Sequence, residues 1–106
     1  PEQIHTAKDC IEVDEVKQAL LSHKKIQIID VRSKEEYEQG HIPNALNISL
    51  QDLKDKIPLL DKNFQFITAC GKGGGRSADG AKLLRGSGLN AIWLCGGTNR
   101  WLEING

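Results

Sequence analysis

The chain has 106 residues, 39% hydrophobic and 26% charged, enough for one globular domain around a single core and too few for a second. Fourteen lysines and arginines balance fourteen aspartates and glutamates, so no overall positive field points to nucleic acid or an acidic membrane surface, and electrostatic recognition has to be local. No apolar run approaches the length of a membrane span.

At the start, Pro1-Glu2-Gln3-Ile4 lacks the charged and apolar regions of a signal peptide, and a leading proline suggests a domain excised from a longer chain. Asp14 is placed to cap a helix whose apolar residues Val16, Ala19 and Leu20 recur at helical spacing, and Ser22-His23-Lys24-Lys25 ends it. Ile26-Gln27-Ile28-Ile29-Asp30-Val31 is short and β-branched, the composition of a buried strand. Ser33 and Glu36 form a capping box for a short helix through Gln39, stopped by Gly40. Ser49 caps a further helix from Leu50 towards Ile57, ended near Pro58.

Phe64-Gln65-Phe66-Ile67-Thr68-Ala69 predicts a second strand, and Ser77 to Leu84 a helix closed by Arg85-Gly86. Ala91-Ile92-Trp93-Leu94 predicts a third strand, followed by Gly96-Gly97 and a final turn around Trp101. Strands alternating with helices predict an α/β fold, a parallel sheet covered on both faces. Ligands of such sheets bind outside the carboxyl ends of the strands, and Cys70 sits at one of those ends.

The stretch from Cys70 to Arg76 reads Cys-Gly-Lys-Gly-Gly-Gly-Arg. Glycine at Gly71, Gly73, Gly74 and Gly75 lets backbone N–H groups turn inward and form an anion cradle. A helix starting near Ser77 adds its unpaired N–H groups and positive dipole end, and Lys72 and Arg76 add full charges. The same field favours thiolate over thiol, which makes Cys70 a candidate nucleophile towards an anionic substrate. A Walker-type phosphate loop is a weaker match, because Gly71-Lys72 is followed by Gly73 instead of serine or threonine. The competing structural reading is a buried cysteine followed by a flexible turn.

Three cysteines, Cys10, Cys70 and Cys95, are odd in number and widely spaced, unlike a disulfide framework or paired zinc ligands, and favour a reducing, cytoplasmic setting. Cys95 ends the third strand on the same side as Cys70 and could resolve an adduct there, but packing as a small buried residue is the favoured reading. A core role is favoured for Cys10. Asp30 and Arg32 are expected to orient the loop after the first strand, His41 to satisfy backbone groups in a tight turn, and Trp101 to plug the core. Glu35, Glu36, Glu38 and Lys34 read as a solvated helix face.

These motifs together resemble the rhodanese-like family over nearly the whole chain. Asp30-Val31-Arg32 with Glu36-Tyr37 and Gly40-His41-Ile42-Pro43 is similar to the family's first signature. Leu94-Cys95-Gly96-Gly97 with Trp101 and Gly106 is similar to the second, and Cys70 stands between them where the family places its catalytic cysteine. The resemblance implies a single domain over 1–106, a three-layer fold with a central parallel sheet of about five strands, and sulfur transfer. Cys70 would take the outer sulfur of thiosulfate or a similar small anionic donor as a persulfide, and a thiol, cyanide or a protein acceptor would remove it. Gly71 to Arg76 and Ser77 would bind the substrate, with Lys72 or Arg76 on the donor's oxyanion. No metal or organic cofactor, nucleic acid or membrane is implied, and the domain is expected to be a monomer.

Five residues separate Cys70 from Arg76, whereas single-domain sulfurtransferases of the family usually have four. The longer loop is similar to that of dual-specificity phosphatases and arsenate reductases on the same fold, so oxyanion-ester or arsenate chemistry stands as an alternative. A noncatalytic regulatory module is a third. Against the phosphatase reading, Ala69 stands where those enzymes usually carry histidine, and the loop has no carboxylic acid to protonate a leaving group; Asp79 is near in sequence but is expected to face solvent or cap the helix.

Overall fold

A computed structural model describes residues 10–22 and 24–105, Asn105 by its backbone alone. Pro1-Glu2-Gln3-Ile4, His23 and Gly106 lie outside the described residues. In chain order the elements are β1 (Cys10–Ile11), α1 (Val13–Leu21), β2 (Ile26–Asp30), α2 (Lys34–Gln39), β3 (Leu46–Asn47), α3 (Leu50–Lys56), a 3-10 turn (Ile57–Leu59), β4 (Gln65–Ala69), α4 (Gly75–Gly86), β5 (Asn90–Leu94) and α5 (Gly97–Asn105). All strand pairs are parallel, in the order β1-β5-β4-β2-β3. The two edge strands are only two residues long, which leaves little free edge to pair with another chain.

Successive side chains of a strand point to opposite faces, and the core divides accordingly. Ile28 of β2, Ile67 and Ala69 of β4 and Leu94 of β5 pack with Val13 and Val16 of α1 and Trp101 of α5. Ile29, Phe66 and Ala91 of the same three strands pack with Leu53 of α3 and Ala81 and Leu84 of α4. The sheet is therefore the middle of three layers, and each fully buried aliphatic side chain contributes roughly 1.5 to 3 kcal/mol by leaving water. Cys70 belongs to the second cluster and Trp101 to the first, as a core residue.

Several local expectations shift. The N-cap of α1 is Glu12, in a capping box with Glu15, and Asp14 lies inside the first turn. Pro58 sits within the 3-10 turn that extends α3. Helix α4 begins at Gly75, two residues before the predicted Ser77, because Ser77 N–H already donates to the Gly74 carbonyl at 3.0 Å. The final turn around Trp101 is a nine-residue helix, α5.

The expectation for the cysteines is corrected outright. Cys10 and Cys95 form a disulfide across a sequence separation of 85 residues. The parallel pairing of β1 with β5 sets Ile11 opposite Leu94, and Cys95 N–H donates to the Ile11 carbonyl at 2.9 Å, which brings the two sulfurs to one end of the strand pair. Closing a loop of that length restricts the unfolded chain by roughly 4.5 kcal/mol in the chain-entropy account. The argument from unpaired cysteines to a reducing compartment falls with it. Among the described residues, no helix is long and apolar enough to cross a membrane.

Candidate active site

The carboxyl ends of β2 and β4 open onto a cleft of about 710 Å³. Its walls are the whole loop from Cys70 to Arg76, Arg32, Glu36, Gln39 and Gly40 from the segment after β2, and Asn99 and Leu102 of α5. Cys70, the one free cysteine among the described residues, is 5% exposed at the root of this loop. Its Sγ lies 3.2 Å from the Gly74 carbonyl oxygen and 3.2 Å from the Ser77 hydroxyl, which itself donates to the Gly74 carbonyl at 2.9 Å. Ser77 is buried, Lys72 is exposed, and Gly71, Gly73 and Gly74 are half-buried.

The loop rests on the first turn of α5. Thr98 N–H donates to the Cys70 carbonyl at 2.7 Å and Asn99 N–H to the Gly71 carbonyl at 2.9 Å. Backbone lies directly on backbone here: a Cβ added at Gly97 would stand 2.6 Å from Gly73 N and 2.7 Å from Gly71 O, with Cys70 O closer still. Gly97 also has φ of 64°, the left-handed region. Gly96-Gly97 is thus the seat of the loop, a role its sequence position gave no way to foresee.

The loop presents a carbonyl to the sulfur where the sequence led us to expect amides. Gly73, Gly74 and Gly75 all adopt positive φ, 89°, 70° and 47°, and this run turns the Gly74 carbonyl towards the sulfur. Among the described residues the hydrogen-bond partners of Sγ are the Gly74 carbonyl and the Ser77 hydroxyl, and not a loop N–H.

Arg32 is fixed as expected, with its Nε donating to Asp30 Oδ1 at 2.9 Å and its Nη2 to Asp30 Oδ2 at 2.7 Å, both residues buried. Arg32 Nη2 also donates to the Gly40 carbonyl at 2.7 Å, and Asn47 Nδ2 ties β3 in by donating to the Asp30 and Arg32 carbonyls. His41 Nδ1 lies 2.8 Å from the Tyr37 carbonyl and its ring stacks on Tyr37 at 3.7 Å between centroids, outside the cleft walls. Asp79 is exposed on α4 beside Lys82, away from the cleft. Cys95, held by Cys10, offers no free thiol beside Cys70.

Arg76 departs most from expectation. Its Nη1 and Nη2 donate to Glu36 Oε1 at 2.8 Å and Oε2 at 3.1 Å, with the two side chains 45% and 41% exposed. Glu36 is therefore not a member of a solvated face: it caps α2 through Ser33 and reaches 40 residues along the chain to the loop. The Arg76 guanidinium, with the Ser33 backbone N–H next, holds its carboxyl down at about 2 against an ordinary 4.5. A lowered folded-state value stabilises the fold above about pH 4.5 and is lost as pH falls towards 2. Urea midpoints measured from pH 5 down to pH 2 are expected to fall less steeply in Glu36→Gln than in the parent, and equal slopes would contradict the pair.

With this geometry in place, similarity to known proteins adds an independent strand. The chain is 32% identical over 96 residues to YtwF of Bacillus subtilis, which carries a provisional sulfurtransferase name, covering 86% of this chain and 92% of that one. It is 30% identical to the thiosulfate sulfurtransferase GlpE of Shewanella oneidensis, covering 77% and 81%. Other curated relatives are longer proteins of which this chain spans only part, 14% in one case and 44% in another. A crystal structure of a rhodanese-like domain protein from Staphylococcus aureus superposes with a TM-score of 0.79 at 37% identity, over 89% of this chain and 91% of that one. The Rhodanese-like domain family model matches residues 12–104, a span that holds the first signature, Cys70 and strands β2 to β5, and the chain belongs to that family.

Proposed function

We propose that the domain transfers sulfane sulfur through a persulfide on Cys70. The observation that carries this reading is the single free thiol at the root of the cleft, at the carboxyl end of β4, beneath a loop of three left-handed glycines that opens directly into α4. The Cys70 thiolate attacks the outer sulfur of thiosulfate or a similar donor. The new bond joins Sγ to that sulfur, the donor's sulfur–sulfur bond breaks, and its electron pair leaves with sulfite. A thiol or cyanide then attacks the outer sulfur and returns the Cys70 thiolate.

Ionisation requires a local change, because a carbonyl dipole pointing at a thiolate is repulsive. Rotation of the Gly74–Gly75 peptide would replace the Gly74 carbonyl by the Gly75 N–H, at the amino end of α4 where negative charge is favoured. Glycine on both sides of that peptide keeps the barrier small. The Ser77 hydroxyl, 3.2 Å from Sγ, can turn its proton from the Gly74 carbonyl to the sulfur.

Two features weigh against phosphate-ester or arsenate chemistry. Arg76, the residue that would grip two oxyanion oxygens, is occupied by Glu36. Glu36 is the one carboxylate among the described residues lining the cleft, and a group ionised down to about 2 cannot serve as the general acid. Initial rates of thiocyanate formation, with thiosulfate and cyanide both varied, are expected to give the parallel double-reciprocal lines of a double displacement. Turnover of an aryl phosphate without thiocyanate formation would overturn the proposal.

A further inference from the structure

Both arginines in the cleft wall bring their own counter-charge. Asp30 neutralises Arg32 inside the protein, and Glu36 neutralises Arg76 at the rim. Lys72 remains as the exposed cation of the loop, with no ion-pair partner among the described residues, to be set against one negative charge on an ionised Cys70. The cleft is therefore close to neutral when the nucleophile is ready. Thiosulfate would bring two negative charges into this balance, and Glu36 faces it across the same walls. Coulomb energy scales with the product of the charges, so a carboxylate beside the donor site opposes a dianion more than a monoanion and leaves a neutral donor alone. A repulsive element of this kind selects among substrates by what it rejects.

We propose that Glu36 is a specificity-determining residue: by holding Arg76 in the ion pair it turns the cleft away from dianionic donors and towards a persulfide that delivers its sulfane sulfur on a thiol, with one negative charge or none. This rests on the sulfurtransferase reading and deepens it. The transfer balances without any further reagent. The Cys70 thiolate bonds to the outer sulfur of R–S–SH, the donor's sulfur–sulfur bond breaks with its electron pair leaving on R–S⁻, and the proton stays on the transferred sulfur.

Glu36→Gln isolates the charge, because glutamine keeps the capping box with Ser33 while releasing Arg76. With thiosulfate and cysteine persulfide as probes, the ratio of their kcat/KM values is expected to move about fivefold towards thiosulfate in Glu36→Gln, the scale of a half-exposed ion pair. The thiosulfate reaction of that variant should also become more sensitive to salt, and adding Arg76→Gln should bring the ratio back towards that of the parent. An unchanged ratio, or an equal loss with both donors as a purely structural role would give, overturns this inference alone. Failure of the parent protein to take sulfur on Cys70 from either donor overturns it together with the sulfurtransferase reading.

Discussion

The Cys70→Ser variant is expected to fold as the parent does and to transfer no sulfur, a loss of at least about a thousandfold in kcat/KM. The side chain is 5% exposed, and a serine hydroxyl at that place finds the Gly74 carbonyl and the Ser77 hydroxyl already positioned as partners. A buried polar group with partners costs little, so the free energy of unfolding should stay within about 1 kcal/mol of the parent's. The chemistry is another matter. Oxygen cannot form the sulfur–sulfur bond of the intermediate, and no second free thiol among the described residues stands in, since Cys10 and Cys95 are joined. Retained thiocyanate formation in a folded Cys70→Ser protein would remove the nucleophile from the account.

Gly97→Ala is expected to damage the site from behind. Alanine at φ of 64° costs about 1 kcal/mol in backbone conformation alone. Its Cβ would also overlap Gly73 N, 2.6 Å away, and Gly71 O, 2.7 Å away, in a region with no flexible side chain to give way. The loop must lift, and the bonds from Thr98 N–H and Asn99 N–H to the Cys70 and Gly71 carbonyls weaken. Together these give roughly 2 to 4 kcal/mol of destabilisation. Displacing the nucleophile by about an ångström lowers turnover of the folded protein by about a hundredfold. Gly88→Ala is the matched control: φ is 87°, a Cβ there meets nothing within 4 Å, and the turn lies outside the cleft walls. It should carry the conformational cost and leave turnover as it was. Equal turnover in the two variants would mean that the Gly96-Gly97 turn does not seat the loop.

The parts legible in the sequence are those carried by short-range pattern. The β-branched runs in β2 and β4 and the Ala91–Leu94 run in β5 announce strands, and Ser33 with Glu36 announces the start of α2, because periodicity and capping act over a few residues. Asp30 and Arg32, two residues apart at a strand end, could be read as a pair for the same reason. The strands β1 and β3 could not, since two residues define no period and their pairing is set by neighbours far along the chain. The Cys10–Cys95 bond and the Glu36–Arg76 pair span 85 and 40 residues, and only the strand order brings their members together. The glycine run after Cys70 was legible as a tight loop at the strand end, but the orientation of its peptides was not. Glycine tolerates the backbone angles of either orientation of the Gly74–Gly75 peptide, so composition does not choose between a carbonyl and an amide facing the sulfur. The resemblance supplied the family from motifs, while the restraint on Arg76 follows from geometry alone.

Peptide mass analysis after brief exposure of the folded protein to a sulfane-sulfur donor bears most directly on whether Cys70 carries the transferred atom. One added sulfur on the peptide containing Cys70, removed again by cyanide, is the predicted result. A Cys70 peptide of unchanged mass, or added sulfur only at Cys10 or Cys95, would contradict the account.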